Sequence, residues 1–329
     1  MHTQWTRISR LAGAALAVVT LLTSIVACSS SGDTASDSDQ AMSLTVGFVV
    51  DPSWAQIPVA QDSGYFADHN LDVTVINFPS GVEALQAVAA GQVDVTTAAD
   101  VPVAAVLTRS PSLKIVADGS RWEGSRIVAR RSAGITELAD LAGKSIGTPL
   151  GTSAAYYVAN ALSQNAIDAD LVQVSPSAMV TAATQRNVDA VSIFQPYQAQ
   201  VIQALGDDAV SLAGGTYSQH SLYLASPTAV SEKPQALTAF VASLADASAP
   251  LQSGADSAVQ AVAQATQLDA GLLREVLAEF DFTVQLQPEL ATDLSDLGEW
   301  AKTQGSIEPA TTLPDYAQSL DDQFLPGTR

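Results

Sequence analysis

The chain is poor in the residues that build catalytic, redox and metal centres. Its 329 residues include one cysteine, Cys28, and three histidines. A single cysteine permits no intramolecular disulfide and leaves the rest of the chain without a thiol. The histidines, His2, His69 and His220, are far apart in sequence and form neither a metal-ligand spacing nor an evident partner for a nucleophile. We therefore expect no catalytic residue, no metal and no cofactor.

Basic residues are also few. The chain has 14 lysines and arginines against 34 aspartates and glutamates, a formal net charge of −20. This balance argues against nucleic acid as a partner. It also repels small anions at long range, so an anion site would have to be local, made of helix N-termini and a few arginines. With 47% hydrophobic residues, the chain can bury a large core, and its length favours two domains.

The N-terminal segment has the pattern of an export signal. Residues 1–27 contain Arg7 and Arg10, then a long apolar run, and no acidic residue. The run is short for a membrane span and ends in Ile-Val-Ala before Cys28, which resembles a bacterial lipobox. We interpret residues 1–27 as a lipoprotein signal peptide, Cys28 as the lipid attachment site, and the polar, acidic residues 28–42 as a flexible tether.

Residues 141–162 read as a strand, a tight turn and the start of a helix. The strand is predicted at 145–148, and either Thr152 or Ser153 could cap a helix that is predicted to begin at Ala154. A helix start leaves N–H groups unpaired and carries partial positive charge, so it can hold an anionic or strongly polar group. Gly151 permits close approach to the backbone. Alternatively, the capping residue could stabilise only its own helix and take no part in ligand binding.

This turn is not a known catalytic motif. It lacks the lysine of a phosphate-binding P-loop, which argues against nucleotide hydrolysis. It also lacks the glycine two places after Ser153 that a nucleophile elbow requires.

Three earlier strands deliver polar or aromatic residues to their carboxyl ends, where open α/β sheets bind ligands. Trp54 follows the first strand, although it could equally pack in the core. Ser80 has capping-box spacing to Glu83, and Gly81 follows it. Asp100 comes after the third. The strands are predicted at 44–50, 71–78 and 93–98.

A fourth strand is predicted at 113–117, followed by a loop at 118–125 that is rich in glycine, serine and arginine. Arg121 in this loop is the preferred charged contact for a ligand, with an exposed surface arginine as the alternative.

An internal similarity suggests two lobes. Residues 87–95 and 182–190 share a helix end, a turn, and Val-Asp entering a short strand. The second copy leads to Phe-Gln-Pro-Tyr, which places Gln195 at the edge of the second lobe. We predict one lobe from residues 43–125 plus 222–329 and another from 126–221, with hinge-like crossings near Gly124 and Gly215.

With these pieces in place, the chain resembles extracytoplasmic solute-binding proteins of ABC importers. The resembling group includes sulfonate, taurine and nitrate binders and the related pyrimidine-precursor binders. Two departures matter: Gln195 replaces an acidic residue common in such proteins, and the cysteine-rich signature of pyrimidine-synthesising relatives is absent. The resemblance is carried by Gly64-Tyr65-Phe66, Leu71-Asp72-Val73, Ser80-Gly81, Gly91-Gln92-Val93-Asp94-Val95, Leu141-Ala142-Gly143-Lys144, Gly151-Thr152 and Phe194-Gln195-Pro196-Tyr197.

The resemblance implies an α/β, two-lobed periplasmic-binding-protein-like fold of type II, each lobe a sheet flanked by helices with a ligand cleft between. It further implies a monomer that is lipid-anchored to the cell membrane and delivers a small-molecule solute to an ABC permease. An exported enzyme or a sensor on the same fold is the alternative.

The predicted ligand-binding residues come from both lobes. We expect an organosulfonate or a similar small organic anion, then an aromatic carboxylate, then a pyrimidine or thiamine-precursor-like heterocycle. If Asp100 faces the cleft, a zwitterion such as an aminosulfonate is favoured. The predicted residues are Trp54, Ser80, Gly81, Asp100, Arg121, Gly151, Thr152, Ser153 and Gln195.

Overall fold

A computed structural model describes residues 41–327 of the chain. Within that range the chain forms two mixed β-sheets flanked by helices. The predicted signal peptide at 1–27, Cys28 and nearly all of the tether predicted at 28–42 lie outside the described residues. From residue 41 to 327, no helix combines the length and apolar character needed to cross a membrane.

Eleven strands make up the two sheets. In chain order they are β1 (Met42–Val49), β2 (Leu71–Phe78), β3 (Val95–Ala99), β4 (Lys114–Trp122), β5 (Ile127–Arg130), β6 (Ser145–Thr148), β7 (Asp170–Gln173), β8 (Ala190–Ser192), β9 (Ala209–Leu212), β10 (Gln219–Ala225) and β11 (Phe280–Asp281).

The α-helices cover the faces of these sheets. In chain order they are α1 (Gln56–Asp62), α2 (Tyr65–Asp68), α3 (Gly81–Ala89), α4 (Asp100–Leu107), α5 (Ser153–Gln164), α6 (Met179–Thr184), α7 (Tyr197–Leu205), α8 (Pro227–Glu232), α9 (Pro234–Gln252), α10 (Asp256–Thr266), α11 (Ala270–Leu277) and α12 (Leu290–Thr303).

The first sheet has the strand order β11-β4-β10-β3-β1-β2, and the second has the order β7-β6-β8-β5-β9. In the first sheet β1 is parallel to β2 and β3, while β10 runs antiparallel between β3 and β4. In the second sheet β6 is parallel to β7 and β8. Each sheet therefore has a set of parallel strands whose carboxyl ends share one edge.

The internal similarity seen in the sequence corresponds to a repeated hydrogen-bond pattern. Asp94 accepts a hydrogen bond from the backbone N–H of Thr45 at 2.8 Å, which joins the approach to β3 to β1. Asp189 accepts one from the N–H of Ser145 at 3.0 Å, which joins the approach to β8 to β6. In both places the backbone N–H of the aspartate donates back to the carbonyl of the same partner residue. The two Val-Asp segments thus align the central parallel strands of both sheets.

Apolar side chains fill the space between the sheets and their helices. On the first sheet, the ring of Phe240 in α9 is stacked on Phe66, with centroids 5.8 Å apart, and meets the edge of Tyr223. On the second sheet, Ile146 and Tyr157 belong to a buried cluster between β6 and α5. Burial of such side chains stabilises each by about 1.5–3 kcal/mol.

The predicted loop at 118–125 is partly wrong. β4 continues through residue 122, because β10 and β11 both pair with its second half: Trp122 lies opposite Gln219 and Phe280. Arg121 therefore belongs to a strand. Pairing with segments about 100 and 160 residues further along the chain leaves no local signal in the sequence.

Two segments, residues 123–126 and 213–218, connect the strands of the first sheet to those of the second. The first is held by the side chain of Gln198 in α7. Its amide donates to the Gly124 carbonyl at 3.0 Å and accepts from the N–H of Arg126 at 3.0 Å. Gln198 is 3% exposed, so both hydrogen bonds are shielded from water.

We predict that Gln198→Ala lowers the free energy of unfolding by about 1–3 kcal/mol, because it leaves the buried Gly124 carbonyl without its donor. Urea unfolding of wild type and variant measures the change. Gln203→Ala is the matched control, since Gln203 is exposed on the same helix. Equal effects of the two substitutions would show that the hydrogen bonds to this crossing contribute little.

Candidate functional site

A small cavity lies where the strand ends of the two sheets face each other. From the first sheet and its helix starts it is lined by Val49, Asp51, Trp54, Gly81, Ala99, Pro102 and Gln219, and from the second by Thr152, Ser153 and Phe194. The cavity leaves about 20 Å³ in which the centre of a water molecule can lie, room for about one water. A ligand of more than a few atoms therefore requires the walls to move apart.

Asp51 places a buried carboxyl group in the wall of this cavity. It follows β1 and is 2% exposed. Its Oδ1 accepts hydrogen bonds from the backbone N–H and the hydroxyl of Ser53, at 2.8 and 2.7 Å. Burial raises the pKa of Asp51 from its ordinary value of 3.8 to about 7, against the opposing effect of the Ser53 hydrogen bonds. The carboxyl therefore exchanges its proton near neutral pH.

Two buried polar atoms beside Asp51 have no hydrogen-bond partner among residues 41–327. They are the indole Nε1 of Trp54, a donor, and the side-chain Oε1 of Gln219, an acceptor. Trp54 is 3% exposed and Gln219 is 1% exposed. An unpaired buried polar group costs about 1–3 kcal/mol, so a ligand that pairs with these atoms recovers that cost.

The N-terminus of α5 supplies further donors. Thr152 stands at the N-cap, but its hydroxyl donates to the carbonyl of Pro149 at 2.7 Å and does not cap the helix. Within the described residues no acceptor takes the N–H groups of Ser153, Ala154 and Ala155. Three free amides at the start of a twelve-residue helix favour an oxyanion or another strong acceptor.

Four of the predicted site residues meet at this cavity: Trp54, Gly81, Thr152 and Ser153. Gly81 is close enough to β3 that an added Cβ would lie 3.1 Å from the Cβ of Ala98. The neighbouring residue Ser80 caps α3, accepting from the N–H of Glu83 at 3.4 Å as its sequence spacing predicts.

Gly151 and Gln195 lie beside the cavity without lining it. Gly151 has φ +77°, in the left-handed region that favours glycine, and lines a neighbouring groove with Val82 and Leu150. The Oε1 of Gln195 accepts from the N–H of Ala199 at 3.2 Å, so this amide stabilises the start of α7.

The side chain of Arg121, predicted to contact a ligand, is instead paired with other groups of the protein. Its guanidinium lies 3.1 Å from Asp118 and 2.9 Å from Asp281, and donates to the carbonyl of Thr283 at 2.6 Å. These contacts tie β4 to the segment after β11. Arg121 is not among the residues that line the cavity, and the lining contains no lysine, arginine or histidine.

Asp100 is also occupied by contacts within the protein. Its carboxylate accepts from the hydroxyl of Tyr217, the N–H of His220 and its neighbour Val101. Burial raises the pKa of Asp100 to about 6, while the charge of His220 and the hydrogen bonds oppose this. Asp100 thus holds the second crossing against α4 and does not line the cavity.

Asp51, Gln219 and Phe194 are lining residues that the sequence interpretation missed. Asp51 carried a usable signal, because it directly follows a predicted strand. Gln219 carried none, because β10 is positioned by pairing with β3 and β4, which are about 100 residues or more away in sequence. Phe194 belongs to the Phe-Gln-Pro-Tyr segment, in which the sequence predicts Gln195, not Phe194, as the ligand contact.

Two sheets that face each other across a cavity at their strand ends define the periplasmic-binding-protein fold, and comparison with solved structures confirms this class. The aliphatic sulphonate binding protein SsuA of Escherichia coli superposes with a TM-score of 0.72, at 19% identity, over 84% of this chain and 97% of that one. The alkanesulfonate-binding protein SsuA of Xanthomonas axonopodis pv. citri, bound to MOPS, gives 0.71 and 20% identity, over 85% and 98%. These likenesses show the fold.

The family follows from the sequence. Residues 51–252 match the family described as NMT1/THI5 like, and the chain belongs to that family. Among its relatives is a putative binding protein of Brucella abortus, 27% identical over 288 residues, which cover 83% of this chain and 89% of the relative. The sequence-based resemblance is thus confirmed at the level of family and fold.

We predict that Asp51→Asn stabilises the protein at pH 8. The folded state holds the Asp51 proton up to about pH 7, whereas the unfolded state loses it near 3.8. Unfolding therefore becomes easier as pH rises through this window, and asparagine removes that loss. The gain should be about 1–4 kcal/mol at pH 8, from 1.36 kcal/mol per pKa unit, and should shrink towards pH 4.

Urea unfolding at both pH values measures this gain. The control is Asp72→Asn, which removes the same charge from an exposed residue of β2 that is not part of the cavity. A gain that is independent of pH, or equal in the control, would contradict burial of a titrating carboxyl at position 51.

Proposed function

We propose that this protein is the solute-binding component of an ABC import system, which captures a small organic solute in the cavity and delivers it to a membrane permease. The observation that carries this proposal is that one cavity takes its walls from the strand ends of both sheets. Membership of the NMT1/THI5 like family and the names of the Brucella relatives and the SsuA neighbours support it.

The proposal includes two lobes that move about the crossings. We assign residues 43–125 plus 222–329 to one lobe and 126–221 to the other. In support, all strands of the second sheet lie within residues 126–221, and all strands of the first lie outside that range except for residues 219–221 at the start of β10. The small volume of the cavity requires such a movement for entry and release.

An aromatic contact joins the proposed lobes close to the cavity. Tyr156 of α5, in the second proposed lobe, packs edge-on against Trp300 of α12, in the first, with a ring-centroid distance of 5.0 Å. Tyr156 also packs against Tyr217 of the second crossing at 4.9 Å. Tyr156 lies one turn after Ser153, so the helix start that lines the cavity also carries an interlobe contact. This arrangement supports closure of the lobes as a unit around a bound solute.

The chemistry of the cavity suits a small, partly apolar solute with a strong acceptor. The free amides of α5 can receive a sulfonate, carboxylate or ring acceptor. Trp54 and Phe194 provide aromatic walls for an apolar stem. The predicted organosulfonate remains compatible with these features, but the lining offers it no cationic side chain. The lining also contains no histidine or cysteine, and we propose binding without chemical conversion.

We further propose that the mature protein is an extracytoplasmic monomer, anchored to the membrane by lipid at Cys28. The support is in the sequence: an apolar run without acidic residues ends directly before the only cysteine. A tether of this length and composition would let the folded part reach a permease in the same membrane.

Ligand-induced closure can be measured with spin labels at Val82→Cys and Leu150→Cys in a Cys28→Ser background. Val82 and Leu150 are 36% and 49% exposed and line one groove from the two proposed lobes. We expect a broad distance distribution without solute and a shorter, narrower one with it, as measured by electron–electron double resonance. A label pair within one lobe, at Val82→Cys and Asp72→Cys, should not respond. Identical distributions for the interlobe pair would contradict closure.

Attachment can be tested separately. We expect the membrane-extracted wild-type protein to begin at a lipid-modified Cys28 by mass spectrometry. Cys28→Ser should be released or left uncleaved, and should bind solute with unchanged affinity because the substitution is outside the folded part. An unmodified mature N-terminus at another residue would refute lipid attachment.

A further inference from the structure

The cavity combines a buried carboxyl group with the absence of any basic side chain in its lining. In most proteins a buried carboxyl is paired with a cation or accepts several hydrogen bonds. Asp51 has hydrogen bonds only on Oδ1, both from Ser53. Within residues 41–327 no donor is directed at Oδ2. The site thus retains an acceptor that the protein itself does not use.

We propose that Asp51 selects the solute by accepting a hydrogen bond from a nitrogen-centred donor, so that the site takes amines, amidines or amino-substituted rings and rejects small anions that lack such a donor. This inference rests on the proposed function, since it assumes that the cavity is the solute site. It narrows the predicted sulfonate to one that also carries a nitrogen donor.

The orientation of the carboxyl supports this role. Ser53 is held by its own contacts: its carbonyl accepts from the hydroxyl of Ser120 at 2.6 Å, and its hydroxyl lies 3.4 Å from the Nε2 of Gln219. The turn that carries Asp51 is therefore fixed by β4 and β10. Oδ1 is directed at this turn, which leaves Oδ2 for a group in the cavity. A fixed acceptor selects more sharply than a mobile one.

Gln219 adds a second acceptor to the same wall. Its Nε2 is directed at Ser53, and its Oε1 is unpaired. Asp51 and Gln219 can therefore take two N–H groups from one nitrogen or from an amidine. The indole N–H of Trp54 and the amides of α5 remain for an acceptor elsewhere on the same solute.

The groups that face Asp51 reinforce the preference for a donor. From the first sheet these are Ser53, Trp54 and Gln219, none of them charged. From α7, Tyr197 is close enough that the Asp51 charge, after burial, raises the pKa of Tyr197. None of these groups neutralises the carboxylate, so above about pH 7, where Asp51 is ionised, an anion without a donor would meet unrelieved repulsion when the cleft closes.

Proton release follows from this geometry. Burial holds the pKa of free Asp51 at about 7, and a cationic nitrogen beside the carboxyl would lower it. Below pH 7, binding of a cationic solute then expels the proton from Asp51. Affinity for such a solute should rise with pH up to about 7 and level off above it, while the amine itself stays protonated.

The test uses three pairs of compounds that differ in one nitrogen donor. They are 2-aminoethanesulfonate with ethanesulfonate, 4-(aminomethyl)benzoate with 4-methylbenzoate, and 4-aminopyrimidine with pyrimidine. Titration calorimetry with the wild-type protein should show tighter binding of the donor member in at least one pair. For a cationic donor member at pH 6.5, two buffers of different ionisation enthalpy should reveal proton release.

Asp51→Asn should remove this selection. Asparagine keeps an acceptor for Ser53 but turns an N–H₂ group towards the cavity, so the affinity of the donor member should fall about 10- to 150-fold. The donor-free member should bind as well or better. Proton release should disappear. Asp72→Asn, with the same change of net charge, should behave as wild type.

Tighter binding of the donor-free members by wild type overturns this inference and leaves the proposed solute-binding function intact. Equal losses in Asp51→Asn and Asp72→Asn also overturn it, because they would reflect net charge alone. A wild-type protein that binds no member of any pair contradicts both the inference and the proposed capture of small organic solutes.

Discussion

In each sheet, one aspartate accepts a backbone hydrogen bond from a neighbouring parallel strand and fixes the register of the two strands. The position of the site depends on this register. Asp94 accepts a hydrogen bond from the N–H of Thr45, and Asp189 accepts one from the N–H of Ser145. Register decides which residue ends each strand and which face each side chain takes. With β1, β3, β6 and β8 aligned in this way, Asp51 and Trp54 come to the edge of one sheet, and Thr152 and Phe194 to the edge of the other. The repeated Val-Asp segment thus gives both sheets the same alignment of strands at the edge that faces the cavity.

The cavity at these edges differs in charge from the site expected for a simple anion. The expected arginine is paired with Asp118 and Asp281, and the expected acid, Asp100, is satisfied by Tyr217 and His220. What remains is a carboxyl with one unused oxygen, an unpaired indole N–H and a helix start. The molecule's strongly acidic composition disfavours the approach of free anions at long range as well. Both effects favour a solute whose negative group, if it has one, is balanced by a nitrogen donor.

The sequence predicted the local elements well and the long-range contacts poorly. β2 and β6 have the predicted bounds, and Ser80 caps its helix as its spacing to Glu83 indicates, because alternation and capping depend on near neighbours. Apart from Asp118 and Val101, the partners of Arg121 and Asp100 come from β10, β11, the residues just after β11 and the second crossing, more than 100 residues away, and no periodicity encodes them. Asp51 is not among the predicted site residues, because its distinguishing property is its burial, and burial depends on elements far apart in the sequence. A position directly after a strand makes a residue a candidate for a binding site. Unpaired polar atoms in the folded chain then show which candidates are free to contact a solute.

The energetic cost of Asp51 is itself an argument for its role. A carboxyl with a pKa near 7 destabilises the folded state at neutral pH relative to an asparagine of the same shape, and proteins rarely keep such a group in a fully buried wall without compensation. Among residues 41–327, hydrogen bonds compensate only Oδ1. A solute donor at Oδ2 would supply the rest, and the same donor would make closure of the lobes more favourable with solute than without it. In the proposed function, relief of this unfavourable burial would be the free-energy difference by which a solute holds the cleft closed.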